Sequence, residues 1–352
     1  MKRKCSPCPC GPRPDVMAEP GRAAKPVEAT QIELGLNAAI VSVRDQQPHI
    51  LVVRPGMAGS GEWDALPFGP FAPRAHRTLE IGLRASVKQQ TGLDLGYVEQ
   101  LYTFGDRGRH AEPDAAVSHI LSIGYLALTR GAGEELLGAH WSPWYAYLPW
   151  EDWRQGKPEI LTREIEPRLK NWATRPPGAD EPARPLRRAE RLKVGFGIGG
   201  AWDEEKVLER YELLYEAGLV AEAKRDGRQA AAQWSELPEL GRAMAFDHRR
   251  ILATAMGRLR GKLKYRPVVF ELLPPEFTLY DLQKTVEAIS GTLLHKQNFR
   301  RLVEQGALVE ATGNVSTATG GRPARLYRFR REVVLERPAP GLRVKAGRQQ
   351  QE

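Results

Sequence analysis

Cysteine is nearly absent from this chain. The sequence of 352 residues has three cysteines, Cys5, Cys8 and Cys10, and all of them lie in the first ten positions. Disulfide bonds therefore cannot stabilise the remaining residues, which fits a reducing cytoplasm. The Cys-x-x-Cys-x-Cys spacing could hold a metal ion, but no fourth ligand lies nearby and the flanking residues are rich in Pro and Gly. We expect residues 1–30 to be a disordered leader, with no metal site and no cofactor in the protein.

Long apolar runs are also missing. No stretch approaches the roughly 18 apolar residues that a membrane-spanning helix needs. The N-terminal segment MKRKCSPCPCGPRPD begins with basic residues, but no apolar stretch follows them, so it lacks the pattern of a secretory signal. These absences argue against a membrane protein and against a secreted one, and they predict a cytoplasmic location.

An excess of positive charge is missing from the first two thirds of the chain. The formal net charge is +9, yet residues 1–240 carry 31 Lys and Arg against 33 Asp and Glu. Residues 241–352 carry 21 Lys and Arg against 10 Asp and Glu. This asymmetry predicts a nearly neutral module joined to a module that binds a polyanion.

The length favours two domains with connecting segments. The predicted division is a leader at 1–30, a first domain with insertions at 31–240, a connecting helix at 241–265, a basic domain at 266–335 and a disordered basic tail at 336–352.

The first domain has the alternating pattern of a layered α/β fold. Its predicted elements are strands at Leu36–Val43 and His49–Arg54 with a turn at Asp45–Pro48, a helix at Thr78–Thr91 capped by Gly92, and strands at Tyr97–Phe104 and His119–Leu128. Further helices are predicted at Trp202–Glu216, stopping at Gly218, and around Asp247–Lys264.

Tryptophan is concentrated between residues 139 and 172, which hold five of the eight tryptophans. We interpret this stretch as a packed edge of the first domain, with a platform for stacking bases as the alternative. A Pro- and Arg-rich linker or insertion follows at residues 174–190.

The segment LPFGPFAPRAHRTLEIGLRASVKQQTGLDL at 66–95 resembles the Nudix box, G-x5-E-x7-R-E-U-x-E-E-x-G-U, where U is a bulky aliphatic residue. Val87, Gly92 and Leu93 fit the end of that pattern, and Gly69 lies two residues earlier than the spacing requires. The substituted positions are Arg77 for the upstream glutamate, Ala85 for the arginine, and Ser86, Gln89 and Gln90 for the remaining glutamates. Nudix hydrolases cleave a pyrophosphate linkage with a divalent cation that these carboxylates hold, because a hard ion needs anionic oxygen ligands. The substitutions therefore predict a catalytically inactive domain.

The surviving scaffold can still bind a nucleotide. Aromatic faces and guanidinium groups recognise a nucleoside diphosphate. The candidate effector contacts of these types are Arg54, Phe68, Tyr102, Phe104, Arg107 and Arg109. The alternative is that this fold only holds the chain together or forms a dimer.

The basic domain has the pattern of a helix-turn-helix. Thr278 is the predicted N-cap of an amphipathic helix that ends at Gly291. After a turn at Thr292–Leu294, a second helix is predicted at His295–Gln305 and ends at Gly306. Its inward-facing residues are predicted to be Phe299, Leu302 and Val303.

A wing follows these helices. Strands are predicted at Ala307–Glu310 and Arg325–Phe329, with a polar, Gly-rich loop between them. Side chains of the second helix and the wing are placed to meet phosphates and base edges. The candidate DNA-binding residues are His295, Lys296, Gln297, Asn298, Arg300, Arg301, Arg322 and Arg325. The aromatic stacking pattern of an RNA module is missing, which favours double-stranded DNA.

With these motifs, the chain resembles the Nudix-related transcriptional regulators. The resemblance rests on the degenerate box, LYTFGDRGR at 101–109, AFDHRRILATAMGRLRGKLKYRPVVFELLPPEFTL at 245–279, KQNFRRLVEQGALVEATG at 296–313 and GRPARLYRF at 321–329. Within that group the chain is most similar to the alphaproteobacterial repressors of NAD biosynthesis. The resemblance implies a Nudix-like α/β/α sandwich followed by a winged helix-turn-helix domain. It also implies a homodimer on a palindromic operator, with an effector of the NAD, ATP or ADP-ribose class.

We therefore expect a DNA-binding transcriptional regulator, a repressor of NAD or nucleotide cofactor metabolism, and not an enzyme. One alternative is a divergent Nudix hydrolase that acts on a nucleoside diphosphate derivative. The other is an interaction scaffold without an effector.

Overall fold

The computed structural model of the chain describes residues 32–53, 63–106, 119–130, 138–176, 184–317, 323–336 and 341–342. Within these ranges the chain forms a six-stranded sheet, a series of helices and a three-stranded sheet. The predicted leader and the candidate residues Arg54, Arg107, Arg109 and Arg322 lie outside the described residues.

The large sheet is mixed. Its strands are β1 (Ile32–Arg44), β2 (Gln47–Val53), β3 (Phe68–Pro70), β4 (Tyr97–Phe104), β5 (His119–Leu128) and β6 (Ala139–Pro143). The strand order is β4-β5-β1-β2-β6, and β3 pairs with β1 off this path. β1 and β5 are parallel, whereas the other pairs are antiparallel.

Nine α-helices lie in the described part of the chain. They are α1 (Leu79–Thr91), α2 (Glu166–Thr174), α3 (Arg188–Phe196), α4 (Val207–Glu216), α5 (Ala221–Arg225), α6 (His248–Tyr265), α7 (Leu279–Ser290), α8 (Lys296–Gly306) and α9 (Val333–Glu336). The small sheet consists of β7 (Phe277–Thr278), β8 (Val309–Ser316) and β9 (Ala324–Phe329), in the order β7-β9-β8.

Both faces of the large sheet are covered by packed side chains at β1. Successive residues of this strand contribute to opposite faces. On one face of β1, Leu36 and Ile40 pack with Leu83 of α1. On the other face, Val41 belongs to the core that contains Ile251 of α6. Each fully buried aliphatic side chain contributes about 1.5–3 kcal/mol of hydrophobic stabilisation. The predicted α/β/α sandwich is confirmed.

The segment that the sequence suggested as a connecting helix, 241–265, has a different place in the fold. Its helix, α6, packs on β1, β4 and β5 and forms the second layer of the sandwich. The apolar residues Ile251, Leu252 and Leu259 are fully buried there. The interpretation as a connector was wrong, because α6 packs its apolar side chains on the sheet and covers one of its faces.

Local signals located several elements correctly. The predicted helix after the box is α1, whose N-cap Thr78 accepts a hydrogen bond from the N–H of Ile81 at 3.2 Å and whose C-cap Gly92 has φ 72°. The hairpin turn is shorter than predicted and consists of Asp45 and Gln46, both with positive φ. Two such residues form the tight turn that matches strand twist, so the following two residues already belong to β2.

The helix predicted from Trp202 starts five residues later, at Val207. The Asp203 carboxylate accepts the N–H of Glu205 at 3.0 Å and forms a turn before the helix. The indole ring of Trp202 packs on that of Trp153, with 4.6 Å between the centroids. Tertiary packing of Trp202 therefore sets the start of α4.

The tryptophans of the 139–172 stretch serve mainly as core residues. Trp144, Trp150 and Trp172 are at most 2% exposed. The guanidinium group of Arg188 lies 4.2 Å from the centroid of the Trp172 ring. The packed-edge interpretation is confirmed for these three residues, whose faces are not open to a base.

The predicted disordered tail at 336–352 needs correction at one point. The N–H of Leu342 donates to the carbonyl oxygen of Leu263 at 2.7 Å, and the Leu342 side chain is 2% exposed. Leu342 therefore packs against the C-terminal part of α6. Within the described ranges, no helix has both the length and the apolar character that crossing a membrane requires.

Candidate nucleic-acid interface and effector site

The helix-turn-helix begins at a fully formed N-cap. The Thr278 hydroxyl accepts the N–H of Asp281 at 3.1 Å, and the Asp281 carboxylate accepts the N–H of Thr278 at 2.9 Å. This reciprocal capping box satisfies two N–H groups at the start of α7. Gly291 ends the helix with φ 73°, as predicted. Loss of such a cap costs about 1 kcal/mol.

A buried carboxylate fixes the turn between α7 and α8. Glu287 is 3% exposed and accepts the N–H of Leu294 at 3.0 Å and the Gln283 amide at 2.9 Å. The Gln283 amide also donates to the Leu294 carbonyl oxygen at 2.9 Å. Sequence reasoning missed Glu287, because a glutamate in an amphipathic helix gives no sign that a turn will fold back onto it.

The two faces of α8 are clearly different. Phe299 and Val303 are at most 3% exposed, and Leu302 packs partly buried against the same core, as predicted. The candidate residues on and just before the other face are all exposed: His295, Lys296, Gln297, Asn298, Arg300 and Arg301. The apolar face therefore anchors the helix and leaves cationic and amide side chains in solvent at its N-terminal half, where helix-turn-helix proteins meet base edges.

The predicted end of α8 was wrong by one residue. Gly306 is the last helical residue, and Ala307 takes the left-handed conformation with φ 45°. Leu308, which follows, is 1% exposed. The chain must turn at Ala307 to bring this leucine into the core.

The wing has longer strands than the sequence suggested. β8 continues to Ser316 through a register shift that contains Gly313, whose φ is 86°. A left-handed glycine accommodates this irregularity without steric cost. Arg325 is exposed on β9, opposite Val315.

Two other arginines at the wing already have anionic partners. Arg328 pairs with Glu310, and Arg330 pairs with Glu336. Arg328 and Arg330 differ in this respect from Arg325, the exposed candidate DNA-binding residue on β9.

The helix face that corresponds to the Nudix box packs on β3. The Gln90 amide pairs with the main chain of Phe68: its Oε1 accepts the N–H at 3.2 Å, and its Nε2 donates to the carbonyl oxygen. A Cβ atom on Gly69 would lie 2.7 Å from Ser86 Oγ, so the close approach of strand and helix requires glycine there. Ala85, Gln89 and Arg77 are exposed. Two box positions are thus engaged in packing between α1 and β3.

Three aromatic rings meet next to this face. Phe68, Phe246 and His248 form a triangle with centroid separations of 5.3–5.5 Å. The ring of His248 is 1% exposed, and its Nδ1 accepts the N–H of Leu66 at 3.0 Å. Phe246 has φ 52°, a conformation that costs a non-glycine residue about 1–3 kcal/mol. Such strain often marks a binding site.

Two further aromatic residues of the candidate site, Phe104 and Tyr102, lie with 5.4 Å between their ring centroids. The guanidinium group of Arg250 lies 5.1 Å from the centroid of the Phe104 ring and pairs with Asp106 at 2.6 Å. Phe104 is 1% exposed, so its ring packs in the core and is not available for stacking on a ligand. Tyr102 is 60% exposed and presents an open face.

Sequence reasoning missed Phe246, His248 and Arg250 as members of this site. Their signal was the motif AFDHRR at 245–250, which carried part of the family resemblance but suggested no roles. Contact between the first turn of α6 and strands β3 and β4 gives these residues their positions.

A metal centre is not formed by the residues that the structure describes. Among them, no group of three or more His, Cys, Asp or Glu side chains is close enough to hold an ion. The helix face that would supply the carboxylates has Ala85, Ser86, Gln89 and Gln90 instead.

The chain thus combines a Nudix-like sandwich with a C-terminal winged helix domain. Residues 269–329 match the family model described as the NrtR DNA-binding winged helix domain. The crystal structure of Shewanella oneidensis NrtR complexed with a 27mer DNA has the same fold, with a TM-score of 0.50 at 20% identity. That similarity covers 86% of this chain and 95% of the Shewanella chain. The family match is confined to residues 269–329, and the similarity over most of the chain is one of fold.

A curated relative adds sequence similarity. The ADPR responsive transcriptional repressor NtrR of Acinetobacter baylyi is 41% identical over 99 residues. The matched stretch is 28% of this chain and only 39% of the relative. The narrower resemblance to alphaproteobacterial NAD-biosynthesis repressors stays a prediction.

Proposed function

We propose that this protein is a transcriptional repressor that binds double-stranded DNA through α8 and the wing, and whose sandwich binds a nucleotide without hydrolysing it. The observation that carries the proposal is the exposed row of Lys296, Gln297 and Arg300 on a helix whose opposite face is anchored by Phe299 and Val303. Arginine and lysine contact guanine edges and phosphates, while glutamine and asparagine pair with adenine. The excess positive charge of the C-terminal third supports the same assignment.

The proposed effector is ADP-ribose, the ligand that the name of the Acinetobacter relative gives. NAD and ATP belong to the same ligand class and are the alternatives. Phe68 and Tyr102 offer aromatic faces for the adenine ring, and Arg54, Arg107 and Arg109 are proposed phosphate contacts. We propose that the regulated genes serve NAD metabolism and that the protein acts in the cytoplasm.

The proposal includes the loss of hydrolysis. Gln90 is paired with the main chain of Phe68, and Ser86 lies against Gly69. Neither side chain has a carboxylate that could bind a divalent cation. A neutral amide or hydroxyl holds Mg²⁺ poorly compared with an anionic oxygen. Incubation with ADP-ribose and Mg²⁺ should release no AMP, and robust turnover would refute this part.

We also propose a homodimer. A winged helix reads a short half-site, and two copies of α8 reach successive major grooves when they lie about 34 Å apart, one turn of DNA. Light scattering at several protein concentrations tests the dimer, and footprinting tests whether the site is a palindrome.

DNA binding is tested with duplex fragments from the genomic surroundings of the gene, using fluorescence anisotropy at low salt. Arg300→Ala should weaken binding about tenfold or more. Gln305→Ala, at the C-terminal end of the same helix, is the matched control and should bind like the wild type. The wild-type affinity should fall with salt with a log–log slope of about −0.9 for each phosphate neutralised. Failure of the wild type to bind any fragment would overturn the proposal.

A further inference from the structure

The C-terminal end of α7 is held by groups of the sandwich. The Tyr145 hydroxyl donates to the carbonyl oxygen of Ala288 at 2.7 Å, and Arg260 Nε donates to that of Ile289 at 3.0 Å. The N–H of Trp153 donates to the carbonyl oxygen of Gly291 at 2.7 Å. The last carbonyls of a helix lack partners within the helix. Here groups from outside the winged helix domain satisfy two of them, at Ala288 and Ile289, together with the carbonyl of the C-cap Gly291.

A buried ion triad holds Arg260 in place. Arg260 Nη1 donates to the Glu151 carboxylate at 2.7 Å, and Arg210 donates to the same carboxylate at 2.6 and 2.8 Å. All three residues are at most 2% exposed. Burial alone raises the pKa of the Glu151 carboxyl, but the charges and hydrogen bonds of Arg210 and Arg260 prevail and hold that pKa below its ordinary value. We call Tyr145, Glu151 and Arg260 the α7 latch.

When apolar residues replace a buried triad of charged side chains, the stability of a protein often stays the same or increases. Stability alone therefore does not explain the presence of this triad. A directional contact gives a different advantage, because it fixes one geometry between two elements. The α7 latch determines where the end of α7 sits, and Glu287 then fixes the turn to α8. The position of α8 relative to the sandwich therefore depends on the latch.

The same helix that supplies Arg260 reaches the candidate effector site. α6 begins at His248, which contacts Phe68, and its Arg250 lies over Phe104. The thirteen residues from 248 to 260 span about 18 Å of a helix. A rigid helix thus connects the aromatic triangle at one end to the α7 latch further along.

We propose that α6 and the α7 latch form the mechanical link between effector site and DNA-binding helix. This inference rests on the proposed function, since it assumes a ligand at the sandwich and DNA at α8. A ligand that favours one position of the first turn of α6 shifts Arg260, and Arg260 shifts the end of α7. Tyr145 and Arg260 are positioning residues, and linkage requires that the two positions differ in ligand affinity.

Tyr145→Phe provides the test, because it keeps the ring and removes the hydroxyl, which donates to the Ala288 carbonyl oxygen and accepts from Arg260 at 3.5 Å. Tyr147→Phe is the matched control: Tyr147 is also buried, and its hydroxyl donates to Asp64 at 2.6 Å within the sandwich and not to a carbonyl oxygen of α7. For wild type and both variants, DNA affinity is measured with and without ADP-ribose, together with ADP-ribose affinity. Tyr145→Phe should bind ADP-ribose like the wild type, and the effect of ADP-ribose on its DNA affinity should shrink by about threefold or more. Tyr147→Phe should respond like the wild type.

Hydrogen exchange without ligand gives an independent readout. Main-chain amides of residues 291–294 should exchange about fivefold faster in Tyr145→Phe than in Tyr147→Phe. An undiminished ADP-ribose effect in Tyr145→Phe would overturn the inference, as would equal exchange in both variants. If the wild type ignores ADP-ribose or DNA, the proposed function fails instead, and the exchange comparison still decides whether the latch positions α7.

Discussion

The side-chain amide of Gln90 pairs with both polar main-chain groups of Phe68, accepting from its N–H at 3.2 Å and donating to its carbonyl oxygen. An amide can do both, whereas a carboxylate can only accept. The residue that stands at a metal-binding position of the Nudix box therefore joins α1 to β3 in this protein.

Gln90→Glu should destabilise the fold by about 1–3 kcal/mol, because an anionic oxygen would face the Phe68 carbonyl oxygen in place of a donor. Denaturant unfolding measures the loss. Gln89→Glu, one residue earlier and exposed, is the matched control and should change stability little. We expect neither variant to hydrolyse ADP-ribose. A Gln90→Glu protein as stable as the control would show that the pairing is unimportant.

Gly291→Ala should destabilise the protein more than Gly92→Ala. Each glycine follows a helix and has a left-handed conformation, with φ 73° at Gly291 and 72° at Gly92. An alanine in this conformation is destabilised by about 1–2 kcal/mol at either position. At Gly291 a Cβ atom would also lie 2.5 Å from the carbonyl oxygen of Glu151, whereas nothing lies within 4 Å at Gly92. Unfolding free energies of the two variants provide the comparison. Equal losses would mean that the end of α7 does not approach the sandwich as closely as described.

Glu287→Ala should reduce DNA affinity, because it removes the acceptor of the partly buried N–H of Leu294 and one of the two acceptors of the Gln283 amide. Each such loss costs about 1–3 kcal/mol. Anisotropy with a duplex fragment and thermal unfolding are measured on the same preparation. Glu304→Ala, exposed on α8, should keep both properties or bind DNA slightly better, since it removes a negative charge from that helix. An unaltered DNA affinity in Glu287→Ala would contradict a role for this carboxylate in placing α8.

The pKa of Glu151 predicts a pH dependence of stability. Burial raises this pKa, but Arg210 and Arg260 outweigh burial and lower it below the unfolded value of about 4.3. The folded state then binds fewer protons than the unfolded state, so the contribution is complete above that value and is lost as the pH falls below it.

The measurement is the free energy of unfolding of wild type and Glu151→Gln between neutral and acidic pH. Glu151→Gln should be less stable at pH 7 by about 3–5 kcal/mol, because two buried guanidinium groups lose their anion. The difference between the two proteins should narrow as the pH falls below about 4. A difference that is constant over this range would show that the carboxylate is not ionised in the fold.

The sequence predicted those elements whose signals are local. Thr78 and Gly92 bound α1, and Thr278 and Gly291 bound α7, because a cap acts within one turn of its helix. The bounds of β4 and β5 also agree with the prediction. These elements are set by caps and by the alternation of apolar residues, which the sequence displays directly.

The contacts that position the sites were not predictable in this way. Glu151 meets residues 59 and 109 positions away, and Leu66 meets His248 across 182 positions. No periodicity links such residues, so their pairing depends on the tertiary fold. Phe104 illustrates the converse: an aromatic residue in a strand suggested a ligand contact, but the structure buries it beneath Arg250.

The parallel pairing of β1 with β5 has a consequence for synthesis of the chain. Ile32–Val41 pair with His119–Leu128, so the centre of the sheet cannot form until both segments have left the ribosome. α6, which covers the second face, emerges still later, and one apolar surface of the sheet stays open until then. During synthesis the protein therefore passes through an aggregation-prone stage in which one apolar face of the sheet is exposed. The winged helix domain is synthesised after the sandwich on which it packs.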